Sequence, residues 1–224
     1  MPPWAWILVW GAAFGATHMI LASARLRPML VARLGEGAYL GLYSVVAFAT
    51  FVPMVSVYMR NIHDGPLLWS LRGSSAIHWF SMLFSGAMFT MVIAALAQPS
   101  PASIGPKKHL RAYGLTRITR HPLFMSLGLW GLGHLLVNGF AADVAFFGGV
   151  FLIGLLGCMH QDARKRVTER GTLDEFFAET SLLPFVAIMT GRTSLVLSEL
   201  PWVALGIGVV VSTVVYQLHG WLFR

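Results

Sequence analysis

Two histidines lie deep inside apolar runs of this chain, His18 and His134, and they are the residues from which chemistry can be argued first. An ionisable side chain at membrane depth is expensive to leave unsupported and is read as functional by default. Six further histidines stand in wetter positions. His78, His121, His160 and His219 fall near the ends of apolar runs, and His63 and His109 fall between them. A neutral imidazole is a tolerable core residue if its N–H finds a carbonyl, so a structural role for His18 and His134 stays open. Two such residues on different helices, with acids nearly absent from the apolar runs, also suit the two axial positions of a haem iron. A haem is apolar in its body and carries two propionates that want cations near an interface. Arg117 and Arg120 precede the run that holds His134 and are the nearest candidates.

The elements that must position these residues follow from composition. Of 224 residues, 56% are hydrophobic and 11% charged, whereas a soluble domain carries about 25% charged residues. A bilayer core needs about 20 apolar residues in a helix. That ruler predicts six spans, at Trp4–Ala24, Ala38–Met59, Ala76–Ala97, His121–Gly139, Asp143–Gln161 and Leu200–Leu222. The fold class is therefore all-α, a polytopic transmembrane bundle forming one domain over residues 1–224. The first run has no basic stretch before it and carries His18, so it is expected to be a helix and not a cleaved signal. By helix rise, His18 and His134 sit on opposite sides of their span midpoints, offset by about 12 Å along the membrane normal. Imidazoles on opposite faces of one iron can span that distance.

Charge sets the expected orientation. The loops after the first, third and fifth spans hold 13 of the 16 lysines and arginines. By the positive-inside rule those loops are cytoplasmic and both termini are not, as in a bacterial inner-membrane protein. The apolar piece Leu182–Thr190 is too short to cross and is expected to lie at the interface or re-enter. Pro53 is expected to kink the second span, and Pro122 to open the fourth at little cost.

Several classes are excluded. The net charge of +7 sits at span ends, where anionic headgroups are the natural counter-charge, so membrane lipid is the expected partner and nucleic acid is not. The single cysteine, Cys158, precludes an intrachain disulfide. No HExxH or CxxC zinc pattern occurs, and the spans lack metal-site carboxylates. The glycines of the spans, Gly148-Gly149 and the Gly154–Gly157 pair among them, are read as close helix-packing positions.

Six stretches together resemble the NnrU family, and most closely its branch of 15-cis-zeta-carotene isomerases. They are THMILASARLR from Thr17, RLGEGAYLGLYS from Arg33, HDGPLLWSLRG from His63, KKHLRAYGLTRITRHP from Lys107, LWGLGHLLVNG from Leu129 and SLLPFVAIMTGR from Ser181. They occur in the family's order over about 175 residues. The resemblance implies an integral membrane protein with haem b, in which ferrous haem assists cis-to-trans isomerisation of a carotenoid polyene entering from the bilayer. It implies axial ligation by His18 and His134. It also matches His63 to a further histidine, a supporting or exchangeable ligand, on a loop one residue shorter here. His121, fixed at a helix start by Pro122, is expected to support the cofactor site. The family name also implies an alternative, a haem protein of denitrification and nitric oxide metabolism without isomerase activity.

The RHP opening of the fourth span also resembles integral membrane methyltransferases that use S-adenosylmethionine. Their paired glutamates after the following span are replaced here by Met159-His160-Gln161-Asp162, which counts against methyl transfer.

Overall fold

The computed structural model describes residues 1–71, 73–103 and 109–223. Arg72, Lys107, Lys108 and Arg224, which enter the charge count, lie outside the described residues. The described chain is helical: α1 Pro3–Leu21, α2 Leu26–Leu34, α3 Glu36–Met59, α4 Ser75–Ala97, α5 Leu115–Ile118, α6 Pro122–Val137, α7 Ala141–Thr168, α8 Asp174–Glu179, α9 Val186–Met189 and α10 Trp202–Leu222. Five of these, α1, α3, α4, α7 and α10, are long and apolar enough to cross a membrane.

The fourth expected span is α6, and it is short. Its 16 residues rise about 24 Å, less than the roughly 30 Å of a hydrocarbon core. Pro122 opens it, and the Asn138-Gly139 turn closes it. α7 is longer than expected, because the helix continues past Gln161 through an amphipathic turn to Thr168. α3 runs through Pro53 as one helix.

The chain divides into two compact units. The first is built from Met1–Met82 and Gly131–Ile153, the second from Leu83–Trp130 and Gly154–Leu222. In the first, α1 and α3 run antiparallel: Gly11 faces Met54, whose sulfur lies 3.4 Å from where a Cβ would stand, and Tyr39 Oη donates to the Leu21 carbonyl at 3.1 Å. Tyr58 stacks on Phe146 with rings 4.1 Å apart and nearly parallel, and meets Phe147 edge-on. Such aromatic pairs are worth about 0.5–1.5 kcal/mol beyond their burial.

In the second unit, Ala94, Ala95 and Leu115 form a buried cluster, and Phe176 and Phe177 pack with Leu173 and Ala102 in another. The 180–192 segment, expected to lie at the interface or re-enter, folds back on the residues between α5 and α6. Arg120 N donates to Ser181 O and Phe185 N to Ile118 O, while Thr119 Oγ1 donates to Leu182 O.

The glycines divide in a way the sequence reading did not anticipate. A Cβ on Gly131 would stand 2.8 Å from the Phe147 carbonyl oxygen, and one on Gly154 would stand 2.9 Å from the Gly128 Cα. These are true close approaches of helix backbones. Gly148, Gly149 and Gly157 have no such neighbour among the described residues, so their expected packing role is corrected: they lie on open flanks of α7.

Candidate functional site

His18 sits in the last turn of α1, its ring 5.0 Å from Phe14 and 4.6 Å from Tyr43. His134 sits in the last turn of α6 and stacks on Phe147 at 4.6 Å. Both belong to the first unit. Their relative height follows from contacts along α1 and α7, which run parallel. Trp4 and Ala141 both border Gly65, and Gly15 borders Ile153. Phe147 to Ile153 rises about 9 Å and Gly15 to His18 about 4.5 Å, so the two histidines are offset by about 13 Å along the helices.

His63 lies on the loop after α3 with a left-handed backbone, φ +60°. That conformation is uncommon for a side chain with a Cβ and is held by its surroundings. The loop is stitched to the α6–α7 turn: Leu68 N donates to Gly139 O, Ala141 N to Pro66 O and Ala142 N to Asp64 O, and Trp69 Nε1 donates to Leu135 O at 3.0 Å. Beneath it is Asp143, in the first turn of α7 and wholly buried. One carboxylate oxygen accepts the Tyr58 hydroxyl at 3.1 Å and the His63 backbone N–H at 3.3 Å. The other lies 2.7 Å from His63 Nδ1. A carboxylate on Nδ1 fixes the ring's tautomer and turns Nε2 away from the pair. A continuous set of contacts therefore runs from His134 through Phe147 and Tyr58 to Asp143 and His63.

The other expected site residues, Arg117, Arg120 and His121, lie in the second unit, and their partners there differ from the expected ones. Arg117 makes a bidentate pair with Glu199, Nε to Oε2 at 2.7 Å and Nη2 to Oε1 at 2.9 Å, and Nη1 donates to Thr193. The Glu199 hydrogen bond raises the Arg117 pKa, and the same bond holds the Glu199 carboxyl below its usual range. Arg120 is buried and spends its donors on Asp162, the Thr180 hydroxyl and the carbonyls of Phe177 and Thr180. Burial pushes its pKa down, with Asp162 opposing. His121 is fully buried, with Nε2 2.6 Å from Asp162 Oδ1. Arg117 and Arg120, expected near haem propionates, thus pair with carboxylates of the chain. His121 supports the fold at the mouth of α6.

Two carboxylates nevertheless stand on the helix of the fifth expected span. α7 carries Asp143 at one end and, because it extends to Thr168, Asp162 near the other. Asp143, Tyr58, Asp162 and Glu199 are site residues that hydropathy and motif patterns do not single out. The available signal was scarcity: with nine acids in the chain, each one beside a span needed a partner. Among the described residues no group of three or more His, Cys, Asp or Glu gathers as a metal site.

An all-α polytopic membrane protein with imidazoles at two depths of one helical unit is the class that fold and site define. The chain belongs to the NnrU family, whose sequence model, described as NnrU protein, matches residues 7–224. It is similar to the 15-cis-zeta-carotene isomerase, chloroplastic, of Zea mays, 29% identical over 81% of this chain and 50% of the relative. It is also similar to the protein of that name in Arabidopsis thaliana, 28% identical over 80% of this chain and 49% of the relative. The chain spans about half the length of these curated relatives. No solved structure matches it significantly.

Proposed function

We propose that this protein is a membrane isomerase that converts a cis double bond of a carotenoid-type polyene to trans, with a b-type haem held by His18 and His134. The observation that carries the reading is the similarity to two 15-cis-zeta-carotene isomerases over four-fifths of the chain. The donor set is compatible with the group. Two imidazoles in one unit, offset by about 13 Å along the helices and bordered by Phe14, Tyr43 and Phe147, are donors that would hold a haem iron among apolar side chains. When bound, ferrous haem supplies an iron centre that exchanges electron density with an alkene and so weakens the π bond that resists rotation.

The chain's own part is positioning. His18 and His134 are held by the last turns of two helices and by ring contacts that limit their rotation. Phe147 shields one face of His134. Asp143 sets the tautomer of His63, the third imidazole of the unit. The substrate is apolar, so it reaches the protein from the bilayer between helices. In this reading the basic loops face the cytoplasm of a bacterial inner membrane, with both termini on the other side.

The test is to supply 15-cis-zeta-carotene in the dark to proteoliposomes holding the purified, reduced protein, and to separate the isomers chromatographically. The isomer with a trans central bond accumulates with protein and reductant together. No conversion above the protein-free control by a haem-loaded preparation rejects the isomerase reading. Nitric oxide binding by that same preparation would then favour the nitrogen-oxide role.

A further inference from the structure

Three guanidiniums of the second unit gather around one ring and one carbonyl. Arg120 lies over the buried Phe177 ring at 4.5 Å and Arg166 over the same ring at 4.3 Å. The Thr180 carbonyl accepts Nη2 of Arg120 at 2.9 Å and Nη1 of Arg192 at 3.1 Å. Like charges held this close repel. Burial holds the Arg120 pKa down, Asp162 opposes that, and the charges of Arg166 and Arg192 lower it further.

The cluster has one carboxylate, and it is spent. Asp162 pairs with Arg120 and His121. The unit's other acids answer other bases: Glu175 and Glu179 face Arg111, Glu199 faces Arg117 and Glu169 faces Lys165. Among the described residues no carboxylate, Asp174 included, makes an ion pair with Arg166 or Arg192. Two positive charges are therefore uncompensated. Both side chains are exposed, and both keep donors to spare. Arg192 uses Nε on the Thr190 hydroxyl and Nη1 on the Thr180 carbonyl, which leaves Nη2. Arg166 touches the Phe177 ring and, among the described residues, has no side-chain hydrogen bond.

Long side chains in water would separate, so the fold must hold these together. Arg192 follows Gly191, whose left-handed φ of +69° ends α9, and its backbone N–H donates to Ala187 O. Arg166 is set by the extension of α7 past Gln161. From Ala141 to Arg166 that helix rises about 37 Å, more than the roughly 30 Å of a hydrocarbon core. Arg166 therefore stands at headgroup level. The segment leading to Arg192 exposes Leu183, Phe185 and Met189, an apolar flank beside the charges.

We infer that Arg166 and Arg192 form a binding site for a phosphate group, whose oxygens accept from the two guanidiniums. An anionic phospholipid or a soluble phosphate can supply that group, and the apolar flank favours the lipid. The site does not depend on the haem reading.

The experiment follows thermal unfolding of the delipidated full chain in maltoside micelles. The probes are dioctanoyl phosphatidylglycerol, dioctanoylglycerol and inorganic phosphate, at an ionic strength fixed with sodium chloride so that general screening is constant. A ligand of the native state raises the midpoint saturably. Phosphatidylglycerol is expected to do so and dioctanoylglycerol is not. A saturable rise with inorganic phosphate as well supports the site with a soluble source, and a rise with phosphatidylglycerol alone supports it with a lipid source. Arg166→Gln and Arg192→Gln are each expected to weaken the apparent affinity about fivefold, while Arg166→Lys and Arg192→Lys keep most of it. Arg111→Gln, which removes a guanidinium already answered by Glu179, is expected to leave it unchanged. No rise with either phosphate probe, an equal rise with dioctanoylglycerol, or full affinity in both glutamine variants overturns the proposal. The probe comparison on the unaltered chain decides the matter even where a variant does not fold.

Discussion

Nε2 of His121 lies 2.6 Å from one oxygen of Asp162, and the other oxygen of that carboxylate pairs with Nη1 of Arg120. One carboxylate thus answers a fully buried imidazole and a buried guanidinium that are adjacent in sequence. His121 Nδ1 is buried with no hydrogen-bond partner among the described residues, so its Nε2 bond is the ring's polar anchor. Removing one partner of a buried ion pair leaves an uncompensated charge, at a cost of about 3–5 kcal/mol. Asp162→Ala is expected to destabilise the second unit by roughly that amount, and Asp162→Asn by less. Urea unfolding in mild detergent measures both. A change within 0.5 kcal/mol, the size of an ordinary surface substitution, would contradict the pairing.

Asp143 plays the corresponding part in the first unit, where it holds the 61–69 loop through His63 and Tyr58. Asp143→Asn keeps the shape and removes the charge. Hydrogen bonds to charged groups contribute about 1.5–3 kcal/mol, and part of that is expected to be lost. Amide hydrogen exchange gives a sharper readout. Leu68, Ala141 and Ala142, whose N–H groups stitch the loop to the α6–α7 turn, should exchange faster in the variant. Unchanged protection there would show that the carboxylate does not hold the loop.

The outer ion pairs carry a pH dependence of definite sign. Hydrogen bonding to Arg117 lowers the Glu199 pKa, and hydrogen bonding to Arg111 lowers that of Glu179. A carboxyl whose folded pKa is depressed contributes stability that is fully present above its unfolded value of about 4.3 and is lost as pH falls through the folded one. The thermal midpoint is therefore expected to hold from pH 7 to about 5 and to fall below about 4. In Glu179→Gln with Glu199→Gln that acid-side fall should be shallower. An identical slope in wild type and double variant would count against both pairs.

Glycines of α6 and α7 should respond in opposite ways to alanine. Gly131 faces the Phe147 carbonyl at a distance no Cβ tolerates, so Gly131→Ala should cost about 1–3 kcal/mol through overpacking. Gly149 meets nothing within 4 Å. Its replacement by alanine should be neutral or add up to about 1 kcal/mol, since glycine weakens a helix interior. The comparison is made by unfolding the two variants side by side. Equal losses would show that α7 has a neighbour on the Gly149 flank.

The spans were legible because each is a long apolar run, and Pro122 marks the start of α6 as its missing N–H allows. The extension of α7 was less so: Asp162 to Thr168 reads as a charged loop until tertiary partners hold it as helix. The carboxylates were illegible for a related reason. Asp143 meets Tyr58 and His63 across 85 and 80 residues, and Asp162 meets His121 across 41. Such pairings depend on how helices face each other, which hydropathy does not encode. Arg120 depends on packing in the same way: sequence shows a cation beside a candidate cofactor span, and only the fold shows its pairing to Asp162 and Thr180. Gly148 and Gly131 are alike in sequence, and only the neighbouring backbone separates them.

The most direct test of the central claim is the optical spectrum of the detergent-purified protein, oxidised and then dithionite-reduced, with pyridine haemochrome quantification of His18→Ala and His134→Ala alongside wild type. One b-type haem per chain with a low-spin spectrum is expected, lost or converted to high spin in each variant while the far-ultraviolet circular dichroism stays helical. A full Soret band with an unchanged spectrum in both variants would contradict the ligand assignment. A wild-type protein still colourless after haem supplementation would contradict haem binding itself.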